Sequence, residues 1–467
     1  MAELFATKSV DAFHADLRAE GGSLRRALGA FDLVMLGIGC IIGTGIFVLT
    51  GVAAVEKAGP AVSASYALAG AICILAALCY SEFATMIPIS GSAYSYAYAT
   101  LGELVAWIIG WDLVLEYALA ASAVAVGWSG YVLNLLASVG IQLPAAIAGS
   151  PGTVPGAVFN LPACLALLAI TALLVVGIRE SANTNATIVS IKLVAVFFVI
   201  AVGSFFVSPD NWHPYMPFGF NGVVAGAATV FFAYIGFDAV TTAAEEARNP
   251  ERDMTIGIIG SLLGCTVLYL AVAAVLTGMV PIDKIDIAAP VAAAFTFHGL
   301  DWAARIIAAG AVAGLTSVLL VLLLGQSRIF FAMSRDGLLP PVFSAIHPRF
   351  GTPHLSTMLV GGIVAVIAGF VPLGQLAELA NIGTLFAFVV VSIGVIVLRR
   401  TDPNRRRPFR TPLVPLLPIA AVAGCFYLMS ALPWATWLRF LIWLGLGFVV
   451  YFLYGIRHSR VQRAAVK

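Results

Sequence analysis

The run Gly37-Ile38-Gly39-Cys40-Ile41-Ile42-Gly43-Thr44-Gly45-Ile46-Phe47 sets four glycines within nine residues of an apolar stretch. Each glycine weakens a helix by about 1 kcal/mol relative to alanine, so a helix over this stretch is poised to break near its middle. Glycine-rich apolar runs also let helix backbones touch, which is the plainer reading. Broken backbone at membrane depth, by contrast, is tolerated only where it lines a cavity enclosed by protein.

Composition places the run in a membrane. Apolar residues make up 61% of the 467 positions and charged residues 10%, with a mean hydropathy of +1.00. Soluble domains carry roughly 25% charged residues. The natural solvent of this chain is a bilayer. A formal net charge of +2 gives no reason to expect nucleic acid as a partner. Cys40, Cys73, Cys79, Cys164, Cys265 and Cys425 sit in apolar runs without metal-ligand spacing, and read as small hydrophobes. Nothing resembles HExxH, G-x-S-x-G or a histidine cluster, so an enzyme, a metal and a cofactor are all unexpected. A receptor or channel is the other class set aside, and accumulation of solute against a gradient would exclude it.

A crossing helix needs ~20 mostly apolar residues. That template predicts twelve spans: 31–55, 61–87, 104–133, 160–178, 182–207, 220–243, 255–280, 303–331, 354–372, 376–398, 413–431 and 436–456. Basic residues collect on the cytoplasmic side of membranes. With both termini cytoplasmic, only Lys57, Lys284, Arg305 and Arg439 fall outside, while Lys192 falls inside span 5. All other lysines and arginines lie inside, Arg179 and the 399–410 group among them. The 1–30 segment is charged throughout and lacks an apolar core, as a cytoplasmic leader does and a cleavable signal does not.

Span 6 repeats the break. Phe231-Phe232-Ala233-Tyr234-Ile235-Gly236-Phe237-Asp238-Ala239 interrupts another apolar helix with a glycine and an acid. Broken helices at matching positions in two halves point to a transporter site. Five spans per half is an odd number, so the halves run in opposite senses. This divides the chain into the leader (1–30), a first repeat (31–207), an inverted second repeat (220–398), two further helices (399–456) and a cytoplasmic tail (457–467).

Such a site suits a zwitterion. Amides at a half-helix N-terminus attract a carboxylate, and carbonyls at a half-helix end attract an ammonium. Gly43, Thr44 and Gly45 are the expected donors, and Ile41, Phe232, Ala233 and Ile235 the expected carbonyl acceptors.

At these residues the chain resembles the amino acid–polyamine–organocation superfamily, and within it the bacterial form of the cationic amino acid transporter family. The likeness runs from Leu24 to Ser459. It rests on the blocks GIGCIIGTGIFVLTG (Gly37–Gly51), YSEFATMIPISGSAYSY (Tyr80–Tyr96), GWDLVLEY (Gly110–Tyr117) and FFAYIGFDA (Phe231–Ala239). EEARNPERDM (Glu245–Met254), GQSRIFFAMSRDGLLP (Gly325–Pro340) and NIGTL (Asn381–Leu385) complete it. Thr255 departs from the proline usual in relatives, at the cytoplasmic start of span 7. The resemblance implies a leucine-transporter-like fold of two inverted five-helix repeats plus two helices. It implies substrate between the broken helices, on the residues just named, with Phe232 closing the pocket towards the outside.

Lys192 falls about ten residues into span 5, ~15 Å deep at 1.5 Å per residue. A charge there costs at least ~2.5 kcal/mol and is paired, cavity-facing or functional. In proton-coupled relatives a lysine on the fifth helix occupies the place of a sodium ion. Lys192 is thus the expected coupling residue and the proton the expected coupling ion, against a sodium site at Thr316 and Ser317, with Glu116 and Asp238 as further proton sites or helix ties. Asp112 shares a helix face with Glu116. The charges of Glu245–Asp253, and Arg335 with Asp336, are expected to tie cytoplasmic loops or form an inner gate. By the family's arrangement Leu322 bounds the side-chain pocket, and span 8 offers no acid for a long cationic side chain, which favours small neutral substrates such as alanine.

The expectation is a proton-coupled amino acid symporter in the plasma membrane, its partners being the amino acid and the lipid bilayer. An accessory single-span subunit is neither required nor excluded. An exchanger, or a carrier of arginine and lysine, is the alternative on the same fold.

Overall fold

The computed structural model describes residues 4–8, 28–87, 92–177 and 182–465. Most of the leader, with Arg18, Arg25 and Arg26, lies outside the described residues, as do Arg179 and the Glu245 side chain. The described chain is helical, with isolated bridges in place of strands.

Apolar runs without strand alternation form the helices α1 (Ala30–Ile41), α2 (Thr50–Ala53), α3 (Val62–Met86), α4 (Ser92–Thr100), α5 (Glu103–Ser138) and α6 (Leu161–Val176). Then come α7 (Ala182–Gly203), α8 (Gly219–Val230), α9 (Ala239–Thr242), α10 (Pro250–Met279), α11 (Pro290–Phe297) and α12 (Asp301–Arg335). The last are α13 (His354–Phe370), α14 (Leu373–Thr401), α15 (Leu416–Ser430), α16 (Trp434–Val450), α17 (Ile456–His458) and α18 (Arg460–Ala465). Eight helical runs among the described residues are long and apolar enough to cross a membrane. Ala30–Ile41, Leu161–Val176, His354–Phe370 and Leu416–Ser430 are shorter apolar helices. The seventh predicted span, 255–280, starts earlier than expected. Pro250 takes a first-turn position, where its missing N–H costs nothing, and Asp253 accepts the Asn249 N–H at 3.2 Å.

α5 packs along α12 and α14, while α10 packs along α3 and α1. Small residues allow the close approach. A Cβ on Gly37 would stand 2.4 Å from the Ser261 Oγ of α10. At the periphery, Trp111 and Trp443 stack at 4.6 Å, and each indole N–H donates to the other's carbonyl, at 2.9 and 3.0 Å. That pair fixes α16 against α5.

Ion pairs lace the segments that join the helices. Glu82, almost wholly buried, accepts from Arg399 at 2.8 and 3.0 Å and from the Thr411 N–H at 2.8 Å, with Arg407 Nε at 3.2 Å. Lys8 Nζ pairs with Asp336 at 3.1 Å, and the Tyr94 hydroxyl donates to the same carboxylate at 2.7 Å. Asp336 thus pairs with the leader. Of the Glu245–Asp253 charges, Glu251 pairs with Arg406 at 2.8 Å, linking the start of α10 to the segment after α14.

Candidate functional site

Both predicted breaks are present. α1 stops at Ile41, and Ile42 leaves the helix with ψ 103°. Helical structure resumes as a π turn over Gly45–Leu49. The second helix tightens from α8 into a 3₁₀ turn, Phe231–Tyr234, after which Ile235 turns out at ψ 132°. Gly236 follows at φ +114°, a conformation that L side chains rarely adopt.

The breaks touch through their glycines. A Cβ on Gly45 would lie 2.3 Å from the Ala233 Cα, and one on Gly236 would lie 3.1 Å from the Cys40 backbone. Each interrupted helix therefore presses a glycine onto the main chain of the other.

A break exposes backbone groups that no helix turn satisfies, and inside a bilayer these need partners. Neighbouring helices supply them. Lys192 Nζ, from α7, donates to Gly39 O at 2.7 Å and to Ile42 O at 3.3 Å. The Tyr269 hydroxyl of α10 lies 2.8 Å from both Ile41 O and Ala233 O. The Tyr66 hydroxyl donates to Gly45 O at 2.9 Å, and that of Tyr131 to Phe47 O at 2.7 Å. Asn381 Nδ2, from α14, donates to Ala228 O at 2.7 Å and Thr229 O at 3.3 Å. Lys192 was legible as a buried charge. The tyrosines and Asn381 were not, since a buried tyrosine or a lone polar residue in a span has no spacing that announces its partner; for Asn381 the only signal was its block, Asn381–Leu385.

Two adjoining cavities lie at the crossing and share Cys40, Ala120, Ile235, Val318 and Leu322. The first is also lined by Ile41, Gly43, Thr44, Gly45 and Phe232. The Thr44 hydroxyl is buried there and has no hydrogen-bond partner among the described residues. Glu116, Tyr117, Gly236 and Asp238 line the second. Of the substrate-binding and proton-coupling residues expected from sequence, all but Ala233 and Lys192 line one cavity or the other. Ala233 packs against Gly45 instead, and Lys192 grips the first break from the α7 side. The acids beside the pocket come from α5 and the second break, not from α12, the helix on which sequence reading looked for one. Asp112, one turn before Glu116, is fully buried against Gly383 of α14 and lines neither cavity. The first cavity is thus bounded by main chain of both broken helices and by the unpartnered Thr44 hydroxyl.

Residues 28–454 match the family described as amino acid permease. The chain is 53% identical to the methylthioribose transporter of Bacillus subtilis (strain 168), over 99% of this chain and 100% of that protein. It is 51% identical to the branched-chain amino acid permease BcaP of the same organism, over 98% of this chain and 99% of that one. With the vacuolar cationic amino acid transporter 4 of Arabidopsis thaliana the identity is 41%, over 86% of this chain and 68% of the relative. All three are named as transporters or permeases, not enzymes. With its paired helix breaks and their enclosed cavity, this membrane-embedded chain belongs to the amino acid permease family, within the amino acid–polyamine–organocation superfamily.

Proposed function

We propose that the protein takes up small neutral L-amino acids together with protons, by alternating access, across the plasma membrane. The orphaned Thr44 hydroxyl carries this reading: a buried polar group without a partner is costly, and here it lines a cavity between two helix breaks. A substrate carboxylate satisfies it together with the amides of Gly43 and Gly45, which begin a helical segment and so lack an acceptor one turn earlier. The ammonium faces the carbonyls of Ile41, Phe232, Ala233 and Ile235. Leu322, Val318 and Val321 leave little room beyond, which favours a short side chain.

In this reading Ala30–Ile41 and the start of the Gly45–Met86 run make the first crossing, the rest of that run the second, and the remaining seven runs and three shorter helices bring the total to twelve, with both ends cytoplasmic. The two breaks then open two inverted five-helix repeats, 31–207 and 220–398, of the leucine-transporter-like kind. Lys192 is the proton-coupling residue, gripping the first break when charged and releasing it when neutral. Glu116 and Asp238 are candidate second proton sites.

A second reading draws on the methylthioribose relative. Its cargo is a sugar derivative, and the carboxyl groups of Glu116 and Asp238 in the second cavity can accept hydrogen bonds from sugar hydroxyls. Uptake into proteoliposomes with no internal amino acid, driven by an inward proton gradient, decides between them. Accumulation of L-alanine or L-valine supports the first reading. Uptake of methylthioribose alone supports the second, and amino acid uptake only into preloaded vesicles identifies an exchanger.

A further inference from the structure

The second helix changes its hydrogen-bond spacing before it breaks. The Phe231 N–H bonds Ala227 O, four residues back, whereas the Ile235 N–H bonds Phe232 O, three back. The 3₁₀ turn Phe231–Tyr234 lies between. A shift from four to three leaves one carbonyl over, because each amide now reaches back one residue less. Ala227 O is taken and the carbonyls from Val230 onward serve the 3₁₀ turn, so the one left over is that of Ala228 or Thr229.

Asn381 covers both. Its Nδ2 donates to Ala228 O at 2.7 Å and to Thr229 O at 3.3 Å. The residue is fully buried, and its Oδ1 has no partner among the described residues. An unsatisfied buried acceptor is costly, and an apolar side chain of the same size would avoid it, so the position is explained by its donors. Seven residues along the same face of α14, Phe388 meets Phe231 edge to face at 5.7 Å and Phe237 at 5.0 Å. Those two rings flank the break at Ile235 and Gly236. Thus α14 splints the second break, with a ring across it and an amide at the change of spacing. Neither Asn381 nor Phe388 lines a cavity.

Resting on the amino acid reading above, we propose that Asn381 is a positioning residue for the substrate ammonium. By holding the surplus carbonyl it fixes where the helix passes from α to 3₁₀ spacing, and so aims the carbonyls of Phe232 and Ile235 at the first cavity, without touching the substrate. Without that donor the carbonyl is satisfied by restoring α spacing, which turns the following carbonyls by about 20° per residue. In the repeat reading α14 is the counterpart of α7. Lys192 grips the first helix with a group that can lose its charge; Asn381 grips the second with an amide that does not titrate. The second break therefore stays aimed while the first is released.

The test is Asn381→Leu in proteoliposomes, which keeps the bulk and removes both donors. Misalignment worth about one hydrogen bond predicts a KM for L-alanine raised about three- to tenfold. Vmax should stay within about twofold, and accumulation should still follow the inward proton gradient. An unchanged KM, a fall in Vmax alone, or loss of the proton dependence overturns the proposal. A wild type that accumulates no amino acid defeats the amino acid reading and this proposal together. An active wild type beside a variant of equal KM defeats this proposal only. Should Asn381→Leu not reach the membrane, Asn381→Ser, with a shorter reach and a single donor, is measured instead. A KM raised twofold or more then supports the proposal, and a wild-type KM overturns it.

Discussion

Lys192 Nζ stands 2.7 Å from the carbonyl oxygen of Gly39, so a side chain from α7 grips the first helix just before it breaks. Its second acceptor, Ile42 O at 3.3 Å, belongs to the residue whose backbone leaves the helix. A charged amine holds both carbonyls more strongly than a neutral one, because charge-assisted bonds are roughly twice as strong. Lys192→Ala should therefore abolish uptake driven by a pH gradient while leaving counterflow of unlabelled for labelled substrate measurable. Full retention of proton-driven accumulation would remove Lys192 from the coupling step.

The stem of Lys192 has its room from α12. A Cβ on Gly314 would lie 2.8 Å from the Lys192 Cγ and 3.0 Å from its Cε. Gly314→Ala must push the lysine aside, and should depress proton-driven uptake severalfold with little change in substrate affinity. Gly310→Ala, one turn away, meets only the Ala195 Cβ at 3.0 Å and serves as the control for a crowded helix contact. Equal losses in the two variants would mean that crowding, not the lysine, is responsible.

Glycines of the first break differ sharply in what surrounds them. Gly45→Ala would bring a Cβ to 2.3 Å from the Ala233 main chain, whereas Gly43→Ala meets the Val318 side chain at an ordinary 3.5 Å. Backbone cannot move aside as a side-chain tip does, so overpacking of at least ~1–3 kcal/mol is expected at Gly45 and little at Gly43. Transport should collapse in the first variant and survive in the second, as read by uptake normalised to protein in the membrane.

How far the sequence led depends on the kind of signal. Both breaks were readable because glycine acts locally: Gly43, Gly45 and Gly236 weaken a helix wherever it packs. Lys192 was readable because a charge in an apolar run stands out. Tyr269 and Asn381 were not, because their role lies in which distant carbonyls they meet, 36 and 228 residues away for the tyrosine. Glu82 was quoted only as part of a block, and its two arginines come from more than 300 positions along the chain. Pocket acids were sought on α12 since the side-chain end of a site cannot be assigned to helices without their packing.

Glu82 gathers Arg399, Arg407 and the Thr411 amide around one buried carboxylate, tying α3 to the segment after α14. Removing one partner of a buried ion cluster leaves the other charges without compensation, at a cost of about 3–5 kcal/mol. Glu82→Ala should lower thermal stability and expression strongly. The milder Glu82→Gln, which keeps the shape and accepts hydrogen bonds, should lose less. Comparable stability of Glu82→Ala and wild type in a detergent thermal scan would show that the cluster does not hold the segment.

Leu322 lines both cavities and so stands at the boundary between them, where the proposed amino acid reading puts the side-chain end of the substrate. Shortening it to serine removes the branched methyls and joins the two spaces, so that a longer side chain reaches the carboxyl groups of Glu116 and Asp238. Leu322→Ser is expected to extend uptake from L-alanine to longer substrates, with L-arginine gaining most because those acids face the enlarged space. Competition of labelled L-alanine uptake by L-arginine, measured in both proteins, reads this directly. If L-arginine competes no better in the variant, Leu322 does not limit the pocket.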